Sequence, residues 1–284
     1  MFRHILYYVT SVFLLLHPYV CYSTDYKPDK ETEKRIEALL GKMTLEEKIG
    51  QMNQLHCENF PYLKTETRKG RVGSVMSITD PNIFNEVQRI AVEDSRLGIP
   101  LINARDVIHG FKTIFPIPLG QAASFNPEIA ETGARIAATE ASAAGIRWTF
   151  APMIDITHDP RWGRIAEGFG EDPLLVSQMG VAAIKGFQGS SLNHPTSIAA
   201  CAKHFAGYGA AIAGKDYNSV DMSMGQFVNF YMPPYKAGAE AGAATFMSAF
   251  NDFNNEPSTG STFLLRELLK NQWGFKGFVV SDWG

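Results

Sequence analysis

The stretch FVVSDWG (278–284) sets a short apolar, partly β-branched run, Phe278 to Val280, directly before an acid, Asp282. Such a run has the composition of a buried strand. A single Asp after a strand commonly caps a helix or ties down a loop, so its meaning depends on what surrounds it.

Working outward, five further runs read as strands: VGSVMSI (72–78), PLINA (100–104), WTFAPMI (148–154), SIAACAK (197–203) and ATFMSAF (244–250). Helical patterns fall between most of them, near 82–97, 127–144, 173–188, 224–241 and 261–272. None of these runs is joined to the next by a two-residue hairpin turn, so the alternation predicts parallel strands with right-handed crossovers, an α/β fold. An open doubly wound sheet would gather its ligands at one switch point, whereas a barrel places chemistry at the C-terminal ends of many strands. Here the later runs each end in a polar cluster: Asp106 and His109, DITHDPRWGR (155–164), Lys203-His204, Met247 to Asn251, and Asp282. GFGED (168–172) lacks the spacing of a phosphate-binding glycine loop. The expectation is therefore a (β/α)8 TIM-like barrel, incomplete, with about six strand units over residues 72–284.

The 284 residues are 45% hydrophobic and 19% charged, with a net charge of −3. That balance offers no electrostatic case for nucleic acid or an anionic membrane as partner. The first residues have Arg3 and His4, an apolar stretch from Ile5 to Leu16, and small residues at Cys21 and Ser23, the layout of a secretory signal peptide over 1–23. A secreted or periplasmic location follows, with no stable membrane span after signal removal. A lipid anchor at Cys21 is the weaker reading, because Val20 is bulkier than a lipoprotein signal prefers. Residues 24–71 read as a linker and N-terminal helices, the second helix starting at the capping box Thr44/Glu47. Cys57 and Cys201 are expected to be small buried residues, neither a disulfide framework nor a zinc pair.

The candidate site is the set of strand tips. Asp282 can serve as base, ligand or nucleophile. Lys203 and His204 supply donors suited to a hydroxyl-rich substrate, or else form a salt bridge with Asp159, Glu167 or Asp216. In DPRWGR, Arg161 and Arg164 offer forked donors with the acids of EGFGED able to pair them. Asp106 can accept hydroxyl protons. His109 and the other scattered histidines lack metal spacing, so neither a catalytic metal nor any cofactor is expected. Acids, Lys/His, Arg, Met and Trp without a thiol nucleophile or nucleotide loop suit a carbohydrate pocket, and glycoside hydrolysis needs two carboxylates.

HDPRWGRIAEGFGEDP (158–173), KHFAGYG (203–209), YMPPYKAG (231–238), DVIHG (106–110), FPIPLG (115–120) and QWGFKGFVVSDWG (272–284) together resemble the family 3 glycoside hydrolases. The likeness is greatest to the secreted or periplasmic bacterial β-glucosidases of that family, and it runs from about Glu31 to Gly284. The resemblance implies a (β/α)8-like N-terminal domain and Asp282, in the SDW motif, as catalytic nucleophile. It implies glycone contacts from Asp106, Arg164, Lys203 and His204, Met247 near the sugar ring, and Trp283 as a wall of the adjacent subsite. Glu167 and Asp172 would brace the basic residues. The implied chemistry is retaining hydrolysis of terminal β-D-glucosyl residues through a glycosyl-enzyme ester.

Two departures stand out. The family's acid/base is usually a Glu on a later domain that these residues do not include, so the chain reads as an inactive fragment whose missing C-terminal region supplies that Glu. Arg105, before Asp106, stands where a less charged residue is expected. β-Xylosidase specificity stays open. A β-N-acetylglucosaminidase is disfavoured by Tyr208 in KHFAGYG, where a His-containing motif would continue. A catalytically inactive sugar-binding module is the alternative from another class.

Overall fold

The structure, a computed structural model, describes residues 29–282. The expected signal peptide and Trp283 lie outside them. Four parallel strands, β1 (Gln54–His56), β2 (Ser74–Met76), β3 (Ile102–Arg105) and β4 (Trp148–Thr149), form one sheet in chain order. Three more, β5 (Cys201–Phe205), β6 (Thr245–Ser248) and β9 (Phe278–Val280), form a second parallel sheet. Isolated parallel bridges Trp148↔Ala199 and Met153↔Lys203 join β4 to β5. The result is a TIM-like barrel wall in which each strand neighbours the next. Among the described residues no pairing closes β9 onto β1.

Three expectations change. First, the strand β1 lies inside the stretch read as linker and helices, and it pairs in register with β2, Leu55 opposite Val75. The repeating part of the fold thus begins before residue 72, and among the described residues the wall has seven parallel strands rather than six. QLH is too short and too exposed to show a strand pattern of its own. Pairing with β2 decides it. Second, β4 is only two residues long, because Pro152 has no N–H to continue a ladder. The backbone still follows β5, with Cys201 N–H donating to the Ala151 carbonyl at 2.9 Å and Ile154 N–H to the Lys203 carbonyl at 2.9 Å. Third, a small antiparallel hairpin, β7 (Asp252–Phe253) with β8 (Glu256–Pro257), follows β6. Asn254 (φ 49°) and Asn255 (φ 68°) make its two-residue turn, and asparagine tolerates this left-handed region better than most residues.

The helices start where short polar residues precede proline. Asp80 caps α4 (Pro81–Arg89), Asn126 caps α6 (Pro127–Ala143) and Asp172 caps α7 (Pro173–Gln188). Each side-chain oxygen accepts one of the amide protons left over in the first turn, and Pro at the first helical position has no such proton to place. Helices α6 and α7 meet through small residues. A Cβ on Gly186 would lie 2.3 Å from the Glu131 carbonyl oxygen, so only glycine permits this approach. The helix expected over 224–241 is broken: a wide turn over Phe227–Tyr231, with Met232 N–H donating to the Phe227 carbonyl, precedes Pro233. Proline there cannot donate to the helix ladder.

The core has two layers. Outside the sheet, Val107, Ile154, Ala202 and Phe246 pack with residues of α6 and α7 such as Ala137 and Ile184. Inside it, Ala104, Trp148, Phe150, Cys201 and Met247 fill the barrel. Cys201 is fully buried, and burial pushes its thiol pKa up to about 12, so it packs as an inert apolar group. Cys57 is only half-buried, contrary to expectation. No described helix is long and apolar enough to cross a membrane.

Candidate active site

The C-terminal strand ends bring together the polar side chains singled out in the sequence. Asp106 follows β3, Arg164 and Glu167 lie in the loop after β4, Lys203 and His204 end β5, and Asp282 follows β9. Register explains the last placement: Met247 on β6 sits opposite Val280, so Asp282 emerges beside the β6 tip.

Lys203 is buried, and its ammonium donates to Asp106 Oδ1 at 2.7 Å. Its acid partner is therefore Asp106 and not Asp159, Glu167 or Asp216. Because the Asp106 side chain is 38% exposed, this ion pair opens onto solvent. The pair can meet a hydroxyl from both sides, as donor and as acceptor.

His204 lies deeper, 1% exposed. Its Nδ1 is 2.8 Å from Asp155 Oδ2, and its backbone N–H donates to the same oxygen at 2.9 Å. The Tyr235 hydroxyl lies 2.6 Å from Asp155 Oδ1 and 2.7 Å from the His204 carbonyl oxygen. On the other side His204 Nε2 faces Asp282 Oδ2 at 3.6 Å. Burial pushes the His204 pKa down to about 4, against the pull of Asp155 in the opposite direction. His204 is therefore neutral near pH 7. Burial, with the Asp155 carboxylate adding to it, holds Tyr235 protonated well above the ordinary phenol range.

Arg164 forks onto Glu167, Nε to Oε1 and a terminal nitrogen to Oε2, both at 2.8 Å. Burial works against the guanidinium charge, but Glu167 more than offsets it and keeps the pKa above its ordinary value. For Glu167 burial alone would raise the pKa; Arg164 outweighs it, and the carboxylate stays below its usual range. The guanidinium also lies 5.5 Å from the Tyr208 ring centroid. Tyr208 and Trp162 both donate to Asp216, the indole at 2.9 Å. With Phe250, whose ring is 5.5 Å from Tyr208 and 5.9 Å from His204, they form an aromatic wall.

Not every expected residue joins this group. Asp172 caps α7 through Leu175 N–H at 2.7 Å, and among the described residues it braces no basic side chain. Arg161 turns away onto Asp159 and is largely exposed. Met247 lies in the apolar layer beneath the polar group, 1% exposed. His109 Nδ1 donates to the Phe115 carbonyl at 2.9 Å, a structural contact. Nothing in the sequence assigns a role to Asp155 or Tyr235; Asp216 enters there only as an alternative salt-bridge partner and Tyr208 only as a departure from the glucosaminidase motif. Asp155 follows directly on the apolar run 148–154, which was a usable signal; nothing local marks Tyr235.

Residues 44–284 match the model of the glycosyl hydrolase family 3 N-terminal domain. The chain is 45% identical to the periplasmic beta-glucosidase of Salmonella typhimurium over 249 residues, 87% of this chain and 32% of that protein. It is 36% identical to a putative beta-xylosidase of Formosa agariphila, covering 92% of this chain and 38% of that protein. Among solved structures, beta-glucosidase from Listeria innocua in complex with glucose superposes with a TM-score of 0.84 at 40% identity, over 89% of this chain and 37% of that chain. The chain thus spans about a third of the length of the curated relatives it matches.

Proposed function

The chain belongs to glycosyl hydrolase family 3, and on that premise we propose that it forms the nucleophile-bearing part of a retaining β-glucosidase that removes terminal β-D-glucosyl residues. The observation that carries this reading is the Asp282 carboxylate at the tip of β9, its side chain 6% exposed, set beside His204 and the Lys203–Asp106 pair. Asp282 attacks the anomeric carbon and displaces the aglycone oxygen; water then cleaves the resulting ester with configuration retained. Lys203, Asp106, Arg164 and His204 hold the glycone hydroxyls. Met247 lies under the ring.

The leaving oxygen needs a proton from an acid about 5 Å from the nucleophile. Asp106, Asp155, Glu167 and Asp216 each already accept from a cation or donor at hydrogen-bond distance, which makes them poor acids. A glutamate from a later region of the polypeptide fits this requirement better, in keeping with the third of its relatives that the chain spans. The domain division is then a leader over 1–23, an entry segment, and a barrel domain that carries Asp282. A periplasmic or secreted location is supported by the leader-like first residues and by a relative described as periplasmic.

The test is trapping. The full-length protein is incubated with an activated 2-deoxy-2-fluoro-β-glucoside, digested, and searched by mass spectrometry for a fluoroglucosyl ester on Asp282. An adduct on another carboxylate, or turnover with inverted configuration, would overturn the assignment. A β-xylosidase is the second reading, favoured by the Formosa relative; the ratio of kcat/KM on aryl β-glucoside and aryl β-xyloside separates the two.

A further inference from the structure

Asp155 is the most buried carboxylate near the site, and neither its motif nor the proposed reaction gives it work. Its side chain is 0% exposed, and among the described residues its side-chain hydrogen bonds are with one residue and with that residue's support. Oδ2 takes the His204 backbone N–H and faces Nδ1 of the imidazole; Oδ1 faces the Tyr235 hydroxyl, which also reaches the His204 carbonyl. His204 is thus held at its ring, its amide and its carbonyl by a two-residue clamp under the barrel floor.

We propose that Asp155 is a positioning residue that locks His204 as the Nδ1–H tautomer, so that Nε2 offers a lone pair to a hydroxyl of the bound sugar. The argument is one of proton accounting. A carboxylate oxygen that already accepts an amide N–H accepts a second N–H readily, so the single imidazole proton belongs on Nδ1. The opposite nitrogen then has no proton to give to Asp282 Oδ2, 3.6 Å away. The neighbouring cations Lys203 and Arg164 oppose a second proton on the ring. The floor of the site is therefore acceptor-only at this point. It selects a sugar that presents a hydroxyl proton there and rejects one that presents an acceptor alone, because a buried acceptor without a donor is costly. This selectivity rests on the glucoside reading above; the tautomer does not.

The full chain, labelled with 15N-histidine, is read by long-range proton–nitrogen correlation at pH 7, with the His204 signals identified by their loss in His204→Asn. Wild type should show the Nδ1–H pattern. Asp155→Leu, of similar volume but without an acceptor, should move the proton to Nε2. Asp155→Asn should restore the original tautomer, since its amide oxygen can face Nδ1–H while its NH2 donates to the Tyr235 oxygen. Should Asp155→Leu not fold, the wild-type pattern and Tyr235→Phe still decide. An Nε2–H tautomer or an imidazolium in wild type overturns the proposal, as does an unchanged tautomer in a folded Asp155→Leu.

Titration with β-D-glucose and its monodeoxyfluoro analogues supplies the functional arm. One fluoro position should weaken binding to wild type on the order of 10- to 100-fold, and that penalty should shrink severalfold in Asp155→Leu but persist in Asp155→Asn. A penalty equal in all three proteins overturns the selectivity. If no sugar binds while the Nδ1–H lock is observed, the glucoside reading fails and the lock stands.

Discussion

Two arginine–carboxylate pairs lie three residues apart in the loop after β4, built from the same chemistry and read alike in the sequence. Arg161 bonds Asp159 with its terminal nitrogen at 2.7 Å, and Arg164 bonds Glu167 twice at 2.8 Å. The Arg161 side chain is 69% exposed; that of Arg164 is 18% exposed and lies over Tyr208. Arg161 holds Asp159 down to about 2 by direct hydrogen bonding in water, where such pairs add little to stability. Arg164 and Glu167 are charged against the pull of burial, so each needs the other. An ion pair is a site component here because of what encloses it, not because of its partners.

Four measurements press on that contrast. The largest effect lies at the enclosed end: Asp282→Asn in the full-length protein should lower kcat on an aryl β-glucoside on the order of 10⁴-fold, since the proposed nucleophile is lost. A loss of less than tenfold would remove Asp282 from the chemistry.

Next comes pH. Above pH 6.5, the ordinary value, His204 is neutral in folded and unfolded chains alike. As pH falls from 6.5 toward about 4 the unfolded chain takes up a proton that the folded one refuses, so stability declines through that window. Complete depression to about 4 corresponds to about 3 kcal/mol at 1.36 kcal/mol per pKa unit. Burial is the main cause of that value, with Asp155 pulling it up and Lys203 and Arg164 pushing it further down; Asp282 and Tyr208 also face the ring. The surface pair acts elsewhere: Asp159 has its pKa depressed, so its contribution is present above 3.8 and lost as pH falls through about 2. Urea unfolding at half-unit pH steps should show the two windows apart, and a flat profile between 6.5 and 4 would contradict a buried neutral imidazole.

Arg164→Met should then destabilise the chain by about 2 kcal/mol, because Glu167 is left partly buried without its charged donor. The smallest effect is the matching change outside: Arg161→Ala should leave the urea midpoint at pH 7 unmoved. Equal effects from both arginines would break the comparison.

Much of this was legible beforehand. The helix starts at Thr44, near 127 and near 173 follow from capping residues and proline, which act within a few residues and so are written locally. Asp282 was readable because an apolar β-branched run ends on it, and Arg164, Lys203, His204 and Asp106 because each ends a segment of the repeat. β1 was not legible: QLH becomes a strand only by pairing with Ser74–Met76. The break near Phe227 was signalled by Pro233-Pro234, yet the width of the turn depends on the Phe227–Met232 hydrogen bond. The residue types of DPRWGR do not tell Arg161 from Arg164, since nothing in them states which faces Tyr208; only the family resemblance singles out Arg164.

By itself the sequence determined the alternation of strand and helix, the end of the barrel at which polar groups gather, and the family. Periodicity, capping and motif spacing carry these, and all are properties of short stretches. Only the tertiary structure decided which carboxylate serves which cation. It joined Asp106 to Lys203 across 97 positions, and Asp155 to His204 across 49 and to Tyr235 across 80. Burial and proton sharing arise between strands brought side by side, so the neutral His204 facing Asp282 exists only once the wall has curved.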